Sequence, residues 1–137
     1  MSTSEITSVS SNYKIKQWYN SKRGTYVVAV GDYYYLNPAY AEVRQLIIDG
    51  AKEIMQNYAV DGMHIDDYFY PTTETYFDKS AFNASGFSNV YNYRRYNMNL
   101  LVSGIYAATK AIDIDLVFGA SPAGNPPTVI NNHCADI

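Results

Sequence analysis

The order of hydrophobic patterns in the C-terminal half restricts this chain to few folds. An apolar, strand-like run at residues 60–70 is followed, after a polar loop, by apolar positions that repeat with helical spacing over residues 90–112. A second apolar run, residues 116–122, ends in Gly and Pro. Two strands joined by a long helix predict a parallel pair with a right-handed crossover, which helices must cover. The sequence therefore predicts an α/β protein.

The N-terminal half predicts a β-hairpin followed by a helix. The segments TYVVAV (residues 25–30) and YYYLN (residues 33–37) flank Gly31-Asp32, a dipeptide typical of a two-residue hairpin turn. Asn37 and Pro38 then supply an N-cap and a first-turn proline for a helix over residues 38–57.

Size and charge limit the class of partner. The chain has 137 residues, of which 47% are hydrophobic, enough to bury the core of one domain. Its net charge is −3, and its basic residues form no cluster larger than an adjacent pair such as Arg94 and Arg95. We expect that pair to be solvated; the alternative is that one of the two arginines reaches a carboxylate at the sheet edge. A nucleic-acid partner is therefore not expected, because phosphate binding requires clustered positive charge.

The first residues predict a separate segment. Residues 1–17 are interpreted as a polar N-terminal tail, and residues 18–137 as the folded domain. The first dozen residues lack an apolar stretch, so they predict neither a signal peptide nor a membrane span. The single Cys134 is expected to be a structural thiol. The fifteen tyrosines suit either sugar ligands or an ordinary interface.

The segment VDGMHIDDYFYP, residues 60–71, carries the predicted site. It places a histidine, two adjacent carboxylates and three aromatic rings at the end of a strand. Ligands of parallel sheets lie at the carboxyl ends of the strands, where the segment FGASPAGN (residues 118–125) also emerges. We therefore expect both segments at one edge of the sheet.

The alternation of side chains along a strand sorts these residues into two faces. Met63 and Ile65 are expected to face the covering helices, whereas His64, Asp66 and Tyr68 face a barrel interior or cleft. Asp67 is then the outward carboxylate. Beyond the end of the strand the alternation fades, which leaves Asp67 three roles: turning toward a ligand, capping the next loop, or holding His64 or an arginine. The same residues also allow a plainer interpretation, in which the aspartates cap and charge the surface and the aromatic rings only pack.

Four motifs resemble one known family. They are LNPAYAEVR (residues 36–44), VDGMHIDDYFYP, the helix YRRYNMNLLV (residues 93–102) and FGASPAGN. In this order and spacing they resemble the bacterial glycosyl-hydrolase-like family 10, whose members are (β/α)₈ barrels. The resemblance implies a fragment of such a TIM barrel, about its fourth and fifth strands with their helices, and a glycoside hydrolase acting on a bacterial or environmental polysaccharide. Some members resemble enzymes that act on peptidoglycan glycan strands.

A wider resemblance implies roles for individual residues. VDGMHID is similar to the fourth-strand segment of α-amylase-type barrels, which makes Asp66 the nucleophile or transition-state stabiliser and His64 its orienting neighbour. Those barrels carry a Glu acid at the end of the fifth strand, whereas here that strand ends in Ser121 and Pro122. A second carboxyl group is needed to protonate the leaving oxygen. Glu74, on the loop after the fourth strand, is the candidate, with Asp67 as a further catalytic carboxylate.

Substrate contacts are expected from both segments. Tyr68 and Tyr70 are predicted to stack on sugar rings, and Ser121 and Asn125 to bind hydroxyl groups beside His64. A metal site is the competing chemical interpretation, but adjacent aspartates on a strand diverge and make a poor chelate. No metal or cofactor is expected.

Two further expectations follow from the resemblance. Family members have three strands before the hairpin region and three after the last residue, so we expect an incomplete barrel, inactive alone, whose unpaired edges associate with another copy. The family implies a secreted or cell-envelope location for the full-length protein. The alternative function is a non-catalytic glycan-binding module, in which tyrosines stack on sugars and aspartates accept hydroxyl hydrogen bonds.

Overall fold

A computed structural model describes residues 1–66, 70–122, 124, 125, 127, 130 and 134 of the chain. The elements in chain order are α1 (Thr3–Ser8), α2 (Lys14–Ser21), β1 (Val27–Val30), β2 (Tyr33–Leu36), α3 (Ala41–Asn57), β3 (Gly62–Asp66), a 3₁₀ turn (Thr75–Phe77), α4 (Lys79–Ala84), α5 (Val90–Ile112) and β4 (Val117–Ser121). Within the described residues the strands form two sheets of two strands each. The predicted α/β class is confirmed.

The hairpin forms where the sequence predicts it. β1 and β2 are antiparallel, and Val30 pairs with Tyr33 across the turn. Gly31 has φ +57°, a left-handed conformation that glycine adopts without the steric penalty of a Cβ atom.

The second sheet is the predicted parallel pair. β3 and β4 align from Gly62 opposite Val117 to Asp66 opposite Ser121. A Cβ atom at position 62 would collide with the backbone carbonyl of Val117, so glycine is needed for the two strands to meet. α5 lies between these strands in the sequence, as the helical pattern predicts.

The first long helix begins later than predicted. α3 starts at Ala41, and the prediction that Asn37 caps it is wrong. Asn37 is buried, and its amide Nδ2 donates hydrogen bonds to the carbonyl oxygens of Thr25 and Phe77. Because these tertiary contacts hold its side chain, Asn37 joins the hairpin to the loop after β3 instead of starting a helix.

Two hydrophobic cores flank α3. One lies between the parallel pair, α3 and α5 and includes the buried residues Val28, Ala51, Met55, Tyr70, Phe77, Met98, Leu101, Ile105 and Cys134. The other lies between the hairpin and the N-terminal helices and includes Ile6, Trp18, Tyr19, Val27 and Val43. Ile47 packs against both, so α3 connects the two halves of the molecule.

The first 17 residues differ from the polar tail that the composition predicts. They contain α1 and the start of α2, and the side chain of Ile6 is fully buried. Ser2 and Glu5 form a capping box at the start of α1. This segment therefore packs into the second core. No helix in the part of the chain that the structure describes has the length and apolarity needed to cross a membrane.

The loop after β3 also departs from the prediction. The segment 72–89 is too polar in sequence to suggest core, yet Phe77 and Asp78 are buried. Arg94, expected in a solvated pair with Arg95, has no exposed surface. Arg94 and Asp78 are buried for one reason, because each neutralises the other's charge. Phe77 is buried in the first hydrophobic core.

Candidate active site

The carboxyl ends of β3 and β4 lie side by side. Asp66 is opposite Ser121, and His64 is opposite Gly119. Residues opposite each other with the same alternation share a face, so these four lie on one face of the sheet. The prediction that the two motif segments end at the same edge is confirmed for the described residues.

The two faces of β3 differ as the alternation predicts. Met63 and Ile65 pack against the core beneath α3 and α5. His64 and Asp66 are exposed on the opposite face. This face is therefore a polar, solvent-accessible surface.

His64 and Ser121 form a cross-strand pair. The imidazole Nε2 lies 2.7 Å from the hydroxyl Oγ of Ser121, and either atom can donate, depending on the tautomer. The ring lies over Gly119, where a Cβ atom would come within 2.7 Å of Nδ1. Glycine at position 119 therefore leaves the space that lets His64 reach the neighbouring strand.

Asp66 is the exposed carboxylate at the end of β3. It also lines a mostly apolar cavity of about 250 Å³ between the hairpin and the long helices. The other lining residues are Tyr35, Leu36, Pro38, Ile47, Ile65, Pro71, Met98, Leu101 and Ile105. The cavity lies on the core side of the sheet, where Ile65, Met98 and Leu101 line it. The Asp66 side chain projects from the opposite, exposed face, where a carboxylate can accept hydrogen bonds from a ligand or attack an electrophilic carbon.

Glu74 lies on the loop that follows β3 and has an exposed side chain. Its backbone N–H donates to Thr72 Oγ1 over 3.1 Å, and its carbonyl oxygen accepts a 2.8 Å hydrogen bond from Arg94 Nη2. The carboxyl group of Glu74 is therefore exposed to solvent, whereas the N–H and the carbonyl oxygen of its backbone are both hydrogen-bonded.

Tyr70 has a position that differs from the predicted sugar-stacking platform. It is 2% exposed, and its ring packs edge-on against Phe77 at 5.7 Å and beneath the Arg94 guanidinium at 4.9 Å. Burial, with the nearby Asp78 charge, raises the pKa of its phenol. Because neither ring face is open to a ligand, Tyr70 packs the core under the loop instead of binding a sugar.

The remaining predicted residues divide into two groups. Asn125 is exposed beyond β4. Asp67 and Tyr68 lie outside the described residues, and their predicted roles stay predictions. Across residues 1–66, 70–122, 124, 125, 127, 130 and 134, no group of three or more His, Cys, Asp or Glu side chains is arranged to hold a metal ion.

The buried pair Arg94 and Asp78 is the feature near the site that sequence reasoning missed. Arg94 Nε and Nη2 donate to the two carboxylate oxygens of Asp78 over 2.9 and 2.7 Å. Burial alone would lower the pKa of Arg94, but hydrogen bonding and charge from Asp78 outweigh it and raise that pKa. A signal was present, because Arg94 precedes the apolar Met98 and Leu101 by four and seven residues and so lies on the buried stripe of α5.

Comparison with known proteins identifies one family. The sequence model of the family described as Glycosyl hydrolase-like 10 matches residues 1–137. The chain is 36% identical over 109 residues to "Glycosyl hydrolase YngK" of Bacillus subtilis (strain 168), covering 75% of this chain and 21% of that protein. It is 33% identical over 98 residues to "Glycosyl hydrolase DigH" of Escherichia coli (strain K12), covering 69% of this chain and 22% of that protein. The chain thus spans about a fifth of the length of these relatives.

Proposed function

This chain belongs to the glycosyl hydrolase-like 10 family, and from that premise we propose that it carries part of the active site of a glycoside hydrolase. We assign β3 and β4 to the fourth and fifth strands of a (β/α)₈ barrel. The substrate is a bacterial polysaccharide, and we propose peptidoglycan glycan strands. The observation that carries the proposal is the exposed Asp66 carboxylate at the carboxyl end of a parallel strand pair, where barrel enzymes place their catalytic groups.

The proposed chemistry divides the work between two carboxyl groups. Glu74 donates its proton to the glycosidic oxygen as the bond from that oxygen to the anomeric carbon breaks. Asp66 attacks that carbon or stabilises the positive charge that develops there. A water molecule then forms the new bond to the carbon, displacing Asp66 if it is bound, and gives a proton back to Glu74. His64, which Ser121 holds on the same face of the sheet, orients the substrate or Asp66.

A substitution at Asp66 tests this proposal. Asp66→Asn keeps the shape of the side chain and removes its charge, so we expect turnover of glycan strands to fall by at least about 1,000-fold while glycan binding persists. The measurement uses the 137-residue chain and the longest natural reading frame that contains it. Asp61→Asn is the matched control, because Asp61 is exposed just before the opposite end of β3. Unchanged turnover in the Asp66 variant contradicts the proposal.

A non-catalytic glycan-binding role is the second candidate, because tyrosines are exposed on the hairpin. Tyr33 and Tyr35 alternate on one face of β2 and are 52% and 37% exposed. Flat, exposed rings can stack on sugars. If this role is correct, Tyr33→Ala with Tyr35→Ala abolishes glycan binding, and the wild-type protein releases no reducing ends from glycan strands.

A further inference from the structure

Arg94 joins three points of the loop that follows β3. Besides its two bonds to the Asp78 carboxylate, Nη1 donates to the carbonyl oxygen of Thr72 over 3.0 Å, and Nη2 to that of Glu74 over 2.8 Å. The guanidinium has no exposed surface. One buried side chain in the first turns of α5 therefore holds residues 72, 74 and 78 in a fixed relation.

The same loop is fastened to the hairpin side of the molecule. Tyr76 donates its phenol hydrogen to the carbonyl oxygen of Ala29 over 3.1 Å, and Asn37 Nδ2 donates to that of Phe77 over 3.1 Å. Both contacts lie between the Arg94 contacts at Glu74 and Asp78. Among the residues that form this loop, Glu74 combines a doubly held backbone with an exposed carboxyl group.

Stability alone is a weak reason for this arrangement. A buried ion pair is often replaced by apolar side chains of similar volume without loss of stability, because desolvation offsets the attraction between the charges. The planar guanidinium fork differs from any apolar group, and from lysine, in binding several oxygens in one fixed geometry. The specific contribution of Arg94 is therefore the shape of the loop.

We propose that Arg94 is a positioning residue, which holds the Glu74 backbone so that the carboxyl group can donate a proton to the leaving oxygen. This inference rests on the proposed hydrolase function. It adds a residue that touches no substrate and acts through the carbonyl oxygens of Thr72 and Glu74 and the carboxylate of Asp78.

The test compares leaving groups, because proton donation matters only for a poor one. A dinitrophenolate departs without a proton, whereas a phenolate, the conjugate base of a weaker acid, needs one. The probes are dinitrophenyl and phenyl glycosides of one N-acetylglucosamine disaccharide, assayed with the longest reading frame that contains the chain. For the double variant Arg94→Met with Asp78→Leu we expect phenyl glycoside turnover to fall about 100-fold and dinitrophenyl turnover to stay within about threefold. Glu74→Gln should show the same selective loss.

A matched control and a second readout separate positioning from general damage. Arg95→Met removes the neighbouring arginine, which bonds to Asn92 and Ile130, and should leave both rates unchanged. Amide hydrogen exchange should show faster exchange of the Glu74 N–H in the double variant than in the wild type. Equal losses of turnover on both probes in the double variant overturn the inference, and so does the absence of a loss on either probe.

The outcomes also separate this inference from the function on which it rests. If the wild type hydrolyses neither probe nor glycan strands, the hydrolase proposal fails and the inference fails with it. If Asp66→Asn abolishes turnover but Glu74→Gln leaves both rates unchanged, the hydrolase proposal stands and the role of Arg94 is refuted.

Discussion

His64 lies over the backbone of Gly119, so closely that a methyl group at position 119 would meet the imidazole at 2.7 Å from Nδ1. The same ring reaches Ser121, two residues further along β4, with its other nitrogen. Glycine on one strand and histidine on the next therefore act as a unit that sets the direction of the imidazole.

Gly119→Ala should displace His64. The new Cβ atom and the ring cannot share the space, so we expect the ring to rotate away and its bond to Ser121 to break. The measurement is the ¹⁵N chemical shifts of the His64 ring by NMR. Gly124→Ala is the control, because a Cβ there meets no atom of the described residues within 4 Å. Ring shifts identical to those of the wild type contradict this expectation.

Gly62→Ala should weaken the parallel sheet. The clash is with the Val117 backbone, which cannot move aside as a side chain can, so we expect a loss of about 1–3 kcal/mol in the free energy of unfolding. Gly50→Ala in α3 serves as the opposite case, since a Cβ there meets nothing within 4 Å in the part of the chain that the structure describes. We expect it to raise the free energy of unfolding by up to about 1 kcal/mol, because alanine favours a helix more than glycine does. Urea denaturation measures both, and equal effects of the two substitutions would show that the contact is unimportant.

Arg94→Met alone should be strongly destabilising, by about 3–5 kcal/mol, because it leaves the buried Asp78 charge without its partner. Adding Asp78→Leu should restore most of the loss, since no buried charge then remains. A double-mutant cycle followed by chemical denaturation gives the coupling energy. If the Arg94→Met variant does not fold, the finding that the double variant does fold is enough to show that the unpaired Asp78 charge caused the loss. The explanation is refuted if the losses in the free energy of unfolding of the two single variants simply add up in the double variant.

Tyr70→Phe should make the protein lose less stability than the wild type at high pH. The folded-state pKa of Tyr70 is raised by burial, so its contribution is complete below the unfolded pKa of about 10 and is lost as the pH rises beyond it. Because its buried hydroxyl has no hydrogen-bond partner among the described residues, we expect the phenylalanine variant to be at least as stable at neutral pH. Unfolding free energies at about pH 8 and pH 11, compared between the two proteins, check this. A parallel decline in both disproves the assignment to Tyr70.

Local patterns predicted the elements that later carried the site. The two-residue turn at Gly31, the helical spacing of α5 and the apolar run of β3 each depend on near neighbours in the sequence, so the hairpin, the long helix and the parallel pair were predictable. Alternation alone separated Met63 and Ile65, which pack against the core, from His64 and Asp66 on the other face of β3. That this other face opens into a barrel interior or cleft stays a prediction.

The features that sequence reasoning missed depend on distant partners. Asn37 looks like a helix cap, but its amide binds the carbonyl of Phe77, 40 residues away. The helical spacing of α5 places Arg94 on the buried stripe of that helix, but it does not identify Asp78 of the preceding loop as the partner. Ile6 is the single apolar residue of α1, and only the packing of this helix against the hairpin side shows that Ile6 is buried. Long-range pairing of polar groups has no periodicity that a single sequence displays.

The position of α3 between two cores has a consequence for how the chain opens. Val43 near its start belongs to the core of the N-terminal half, and Met55 near its end belongs to the core beneath the parallel strands. Fraying at one end of this helix therefore removes support from the other. We expect the hairpin and the strand pair to lose their amide protection together in a single cooperative transition, with no stable half-open species.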